Sequence, residues 1–138
     1  MVRLEIDRGR RLFVGSVLGV DMTKAALVVY AGTDDSSDAG RVINAMVAAR
    51  EFIEAGDEVQ LILDGAGTQW IPILESGEYE YHDLYTVVRD AVAVCGYCAN
   101  AHGVENAVKS AGLDRLTAND GHPSIRSLVD EDYEIVTF

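Results

Sequence analysis

Short apolar runs, rich in β-branched residues, recur along this chain and constrain its fold more than any other feature. Ala25 to Ala31 reads AALVVYA, Glu58 to Leu63 reads EVQLIL, Ala91 to Val94 reads AVAV, and Glu134 to Phe138 reads EIVTF. Continuous apolar runs of this length suit strands buried on both faces, as in a parallel sheet. The intervening segments carry helical periodicity. From Gly40 to Ala55, Val42, Ile43, Met46, Val47, Ala49 and Ile53 mark one face, with Asp38 as the expected N-cap and Gly56 as the stop. Further helices are expected around Trp70 and Ile73, from His82 to Arg89, from Cys98 to Ala111, and from Pro123 to Val129; Leu113 to Leu116 reads as one more short strand. Strands alternating with helices through short connections predict a three-layer α/β/α fold with a mostly parallel sheet of about five strands.

Charge narrows the function classes. The chain has 23 Asp and Glu against 11 Lys and Arg, a formal net charge of −12, and its only lysines are Lys24 and Lys109. Such a surface repels phosphate backbones and anionic lipid heads, so neither nucleic acid nor a membrane is an expected partner. An acidic, lysine-poor surface also resembles that of salt-adapted proteins, in which salt screens self-repulsion. No apolar run approaches the ~20 residues of a membrane helix. The two cysteines form no disulfide framework, and a cytoplasmic location is expected.

Residues 1–21 stand apart from the domain expected over 22–138. Arg8, Arg10 and Arg11 precede the apolar stretch Leu12 to Val20, the charge order of an export signal, but no A-x-A cleavage site follows. Val2, Leu4 and Ile6 alternate as in the first strand of a hairpin. Met22 is a third candidate, as the biological start. On each reading the segment is an appendage outside the core.

Ligands of open parallel sheets bind at the carboxyl ends of the strands. There the sequence places Asp34 and Asp35, then Asp64 in the turn Asp64-Gly65-Ala66-Gly67, then Cys95. The glycine turn lacks the Walker lysine and the full G-x-G-x-x-G, so it is not a phosphate loop. Cys95 stands between a strand end and a helix start, where unpaired N–H groups favour a thiolate. Its thiol is therefore expected to be more acidic than a free one and to react before Cys98. Gly96 lets backbone or ligand come close. Asp64 and Trp70 are expected on the rim, and His102 is a candidate to stabilise the thiolate.

The segment Val94-Cys95-Gly96-Tyr97-Cys98-Ala99-Asn100-Ala101-His102-Gly103-Val104 resembles the DsrE/DsrF-like family, with Cys95, Gly103 and Val104 at matching places. Asp132 and Ile135-Val136-Thr137-Phe138 resemble that family's ending, and the likeness covers about residues 23–138. The resemblance implies a five-stranded parallel sheet, and no cofactor is expected. It also implies a Cys95 that accepts sulfane sulfur as a persulfide from a donor and hands it to a partner protein, and assembly into trimers or hexamers. Cys98 is an addition to the best-known pattern, placed to resolve the persulfide as a Cys95–Cys98 disulfide. Trp70, Tyr79, Tyr81 and Tyr85 are expected to form an aromatic surface that an oligomer would cover.

The same residues admit other chemistry. C-x-x-C is also a thiol redox motif, although thioredoxin-type proteins carry it in an early βα unit opposite a cis-proline. Cys95, Cys98 and His102 form C-x-x-C-x3-H, a partial metal set that His82 or His122 would have to complete. A non-enzymatic binding module, with Cys95 incidental, is the remaining class.

Overall fold

The computed structural model describes residues 22–138; the appendage read over 1–21 lies outside the described residues. Five strands, β1 (Lys24–Val29), β2 (Glu58–Leu63), β3 (Val92–Cys95), β4 (Asp114–Leu116) and β5 (Glu134–Thr137), form one sheet in the order β4-β3-β2-β1-β5. Every pairing is parallel, with Leu27 opposite Leu61 and Val136, and Leu63 opposite Val94. Among the described residues, six α-helices complete the layers: α1 (Ser36–Glu54), α2 (Trp70–Glu75), α3 (His82–Val88), α4 (Gly96–Ala101), α5 (Glu105–Ala111) and α6 (Ile125–Asp130). The three-layer α/β/α fold expected from the apolar runs is the fold observed.

The alternation of side chains along each strand divides the core. Ala25, Leu27, Val29, Leu61, Leu63, Val92 and Val94 face α1 through α5, meeting Val42, Met46, Ile71, Leu74, Tyr85 and Val108. Ala26, Val28 and Ile62 face the other way, toward Leu128 of α6 and Tyr133. Each fully buried Leu, Ile or Val contributes about 1.5–3 kcal/mol relative to exposure. The connection from β4 to β5 must therefore cross from one edge of the sheet to the other. It begins by passing over the carboxyl end of β3, and that passage builds the site.

Several local expectations are corrected. Asp35, not Asp38, caps α1: its backbone is extended and its side chain accepts the Asp38 N–H, so the helix begins earlier than Gly40. The single helix expected over Cys98–Ala111 is two, because Gly103 takes a positive φ of 73° between α4 and α5. Trp70 and Tyr85 are buried in the chain's own core, and Tyr79 packs against that core. They form no aromatic surface awaiting cover; of the four aromatics, Tyr81 is exposed. No described helix is long and apolar enough to cross a membrane.

Candidate functional site

Three separate segments converge at the carboxyl ends of β2 and β3. At the end of β2, the Asp64 N–H donates to the Val29 carbonyl at 3.0 Å, which fixes the turn against β1. Gly65, at φ 55°, donates its N–H to Asp64 Oδ1 at 2.7 Å and holds the carboxylate in place. At the end of β3, Cys95 caps α4: its Sγ accepts the Cys98 N–H at 3.4 Å. The third segment is the chain after β4. It folds into a tight hairpin in which Asn119 pairs with His122, with positive φ at Asp120 and Gly121. The Tyr97 N–H donates to the Gly121 carbonyl at 2.8 Å and ties this hairpin to α4.

Glycine at position 96 makes the docking feasible. A Cβ there would stand 2.6 Å from Thr117 Cγ2 and 3.5 Å from the Gly121 carbonyl oxygen. The hairpin thereby delivers His122, whose Nδ1 lies 3.3 Å from Cys95 Sγ and 3.9 Å from Cys98 Sγ. The Tyr97 ring lies over the imidazole, with centroids 4.7 Å apart. One donor atom each from Asp64, Cys95, Cys98 and His122 lies within 4.8 Å of all the others.

Of the residues singled out in the sequence, Asp64, Cys95 and Cys98 come together, and Gly65 and Gly96 shape the approach. His102 does not join them: it is the exposed C-cap of α4. Gly103 serves as the helix break rather than as a site residue. Trp70 is buried, its Nε1 donating to the Gly32 carbonyl at 2.8 Å, so it clamps the chain after β1 instead of rimming the thiols. His82 opens α3, outside the cluster. Asp34 and Asp35 are exposed, as expected of a solvated loop. His122 had appeared only as one of two candidates for a fourth ligand; its place in the fold depends on the crossing connection, which no local spacing encodes. Tyr30, half-exposed beyond β1, also borders the cluster, and its phenol is raised by burial and by the charges of Asp64, Cys95 and Cys98.

The electrostatics reverse one expectation. Burial pushes the Cys95 thiol up to about 12, and the neighbouring Asp64 charge adds to the effect; the Cys98 N–H works against it without prevailing. α4 is only six residues long, so little helix dipole is available to compensate. Cys95 is fully buried and Cys98 partly exposed, so Cys98 is the thiol that meets solvent.

No family model matches this sequence. The chain is 32% identical over 97 residues to the uncharacterized protein MJ0733 of Methanocaldococcus jannaschii, a match spanning 69% of this chain and 78% of that protein. Among solved structures, a conserved protein of unknown function, BT1422 from Bacteroides thetaiotaomicron, superposes with a TM-score of 0.52 at 13% identity. That superposition covers 82% of this chain and 94% of the other, and it shows a shared fold alone.

Proposed function

We propose that this chain, which belongs to the family of the Methanocaldococcus jannaschii protein, is a DsrE/DsrF-like sulfur carrier. On this reading it takes sulfane sulfur on the Cys95–Cys98 pair and passes it to a partner protein. The observation that carries the reading is the meeting of two thiols and an imidazole nitrogen at the carboxyl end of β3, where open parallel sheets bind ligands. The all-parallel, five-stranded sheet also fits what the resemblance implies.

The difference in exposure sets the order of events. Cys98 meets the donor first, the role the resemblance implies for Cys95. His122 takes the thiol proton, and the thiolate attacks the outer sulfur of a donor persulfide. A sulfur–sulfur bond forms at Cys98, the donor's own sulfur–sulfur bond breaks, and the donor leaves as a thiol. The bound sulfur then passes to an acceptor thiol. In its absence Cys95 attacks the Cys98 sulfur, hydrogen sulfide departs, and a Cys95–Cys98 disulfide remains. Assembly into a homo-oligomer belongs to the same reading, and light scattering at high salt tests it.

Sulfur loading from inorganic polysulfide onto the reduced, chelator-treated chain, followed by peptide mapping, tests the function. Sulfur is expected on Cys98 in the wild type, with longer-lived loading in Cys95→Ser and none in Cys98→Ser. Sulfur on neither cysteine and no Cys95–Cys98 disulfide in a folded wild-type chain, with no sulfur on Cys95→Ser, overturns the reading.

A further inference from the structure

The sulfur-carrier reading uses the two thiols and His122 but gives the Asp64 carboxylate no task. Asp64 is nine-tenths buried beside both sulfurs, and its Oδ1 accepts the adjacent Gly65 N–H. We propose that Asp64, Cys95, Cys98 and His122 form a tetrahedral binding site for a thiophilic divalent cation of the zinc type. This inference rests on the donor geometry alone and does not require sulfur transfer.

Distances carry the argument. A tetrahedral ion with zinc–sulfur bonds of about 2.3 Å and zinc–nitrogen bonds of about 2.0 Å holds its sulfur and nitrogen ligands about 3.5 Å apart. His122 Nδ1 stands 3.3 Å from one sulfur and 3.9 Å from the other, bracketing that value. All four donor atoms lie within 4.8 Å of one another, so closure onto an ion needs only small side-chain adjustments.

The donor types agree with that choice of ion. Two thiolates, one imidazole and one carboxylate suit zinc; magnesium and calcium take oxygen ligands throughout. Outer contacts also hold the ligands. Cys95 Sγ accepts the Cys98 N–H, the carboxylate is fixed by Gly65, and the His122 ring lies against Tyr97. A dication offsets the charge of a carboxylate and two thiolates gathered at one point, which the bare donor set does not.

Occupancy has a consequence for sulfur chemistry. A bound ion would engage both sulfurs and Nδ1, which weakens both thiolates as nucleophiles and removes His122 as a base, so metal binding and sulfur loading compete there.

The test is elemental analysis of the reduced chain after Zn²⁺ loading and dialysis, with Co²⁺ as a spectroscopic substitute. One Zn²⁺ per chain is expected, with thiolate-to-Co²⁺ charge-transfer absorption and the intense visible bands of a tetrahedral site. Asp64→Asn, His122→Ala and Cys98→Ser should each weaken binding at least ~10-fold, while His102→Ala should leave it unchanged. If a ligand variant fails to fold by circular dichroism, the wild-type Co²⁺ spectrum decides. Absence of charge transfer, octahedral bands, or equal losses in His102→Ala and His122→Ala would overturn the site. Sulfur loading is measured separately on the chelated chain, so either reading can fail without the other.

Discussion

Gly67→Ala is predicted to destabilise the fold strongly, and the magnitude follows from one contact. A Cβ at position 67 would stand 2.1 Å from the Val29 carbonyl oxygen and 3.0 Å from its carbon. Ordinary contacts lie near ~3.5 Å, so more than an ångström of relief must come from backbone, not from a flexible side-chain end. The Val29 carbonyl also accepts the Asp64 N–H, so retreat of β1 or of the turn breaks that bond as well. Overpacking costs about 1–3 kcal/mol, and a buried backbone group left unpaired costs about 1–3 kcal/mol more. The expected loss is therefore about 3 kcal/mol or more, a fall in Tm on the order of 10 °C for a domain of this size. Urea unfolding followed by circular dichroism measures it as a lower midpoint at unchanged slope. Gly40→Ala is the control: nothing lies within 4 Å of its added Cβ inside α1, and it should stabilise by about 0.5–1 kcal/mol. A Gly67→Ala chain within about 1 kcal/mol of wild type would refute the reasoning.

Three further outcomes follow from the electrostatics. Burial raises the Glu75 carboxyl, but hydrogen bonds from Arg89 and Tyr85 prevail and hold it below its usual range. Its contribution is therefore present above about pH 4.3 and lost as pH falls through the lower folded value; Glu75→Gln should cost stability at pH 7 and little at pH 2, and an equal cost at both would contradict the ion pair. The Cys95 thiol, raised by burial, keeps its proton in the folded chain above about pH 8.5, where the unfolded chain loses it. The stability of the metal-free protein should thus decline from pH 8.5 upward, by at most about 1.4 kcal/mol per pH unit, and an identical decline in Cys95→Ala would remove that cause. With a net charge of −12, stability should rise with KCl as the Debye length falls toward ~3 Å at 1 M; a flat or falling midpoint would end the salt-adapted reading.

The centre of the sheet was legible because β1, β3 and the end of β2 bury both faces and read as apolar runs, whereas the edge strands β4 and β5 are short and largely exposed. Val92–Cys95 and Glu58–Leu63 emerge nearly at their expected bounds. Helix ends were less legible. Asp35 and Asp38 are equally suited to capping by type, and only the extended backbone at Asp35 decides between them. Gly103 could be read as a tolerated helical glycine until its positive φ was known. At the site, Asp64 and Cys95 were legible because adjacent strand ends must bring them together. His122 was not, because it lies 24 residues beyond Cys98 and arrives only as the chain leaves β4 across the sheet. His102, at i,i+4 from Cys98, looked like the better partner, but the end of α4 leaves it exposed.

Intact-mass spectrometry after polysulfide treatment, with and without prior saturation by Zn²⁺, tests the central claim most directly: that one centre built from Cys95, Cys98 and His122 handles sulfur. The reduced, metal-free Cys95→Ser chain, which cannot resolve the persulfide, should gain the mass of one sulfur atom, and the wild type should gain it transiently and end as the disulfide. Prior Zn²⁺ saturation of the wild type should sharply reduce both changes, and the Cys95→Ser/Cys98→Ser double variant should gain nothing in either state. No gain in metal-free Cys95→Ser together with no disulfide in the wild type, or an equal gain in the double variant, would contradict it.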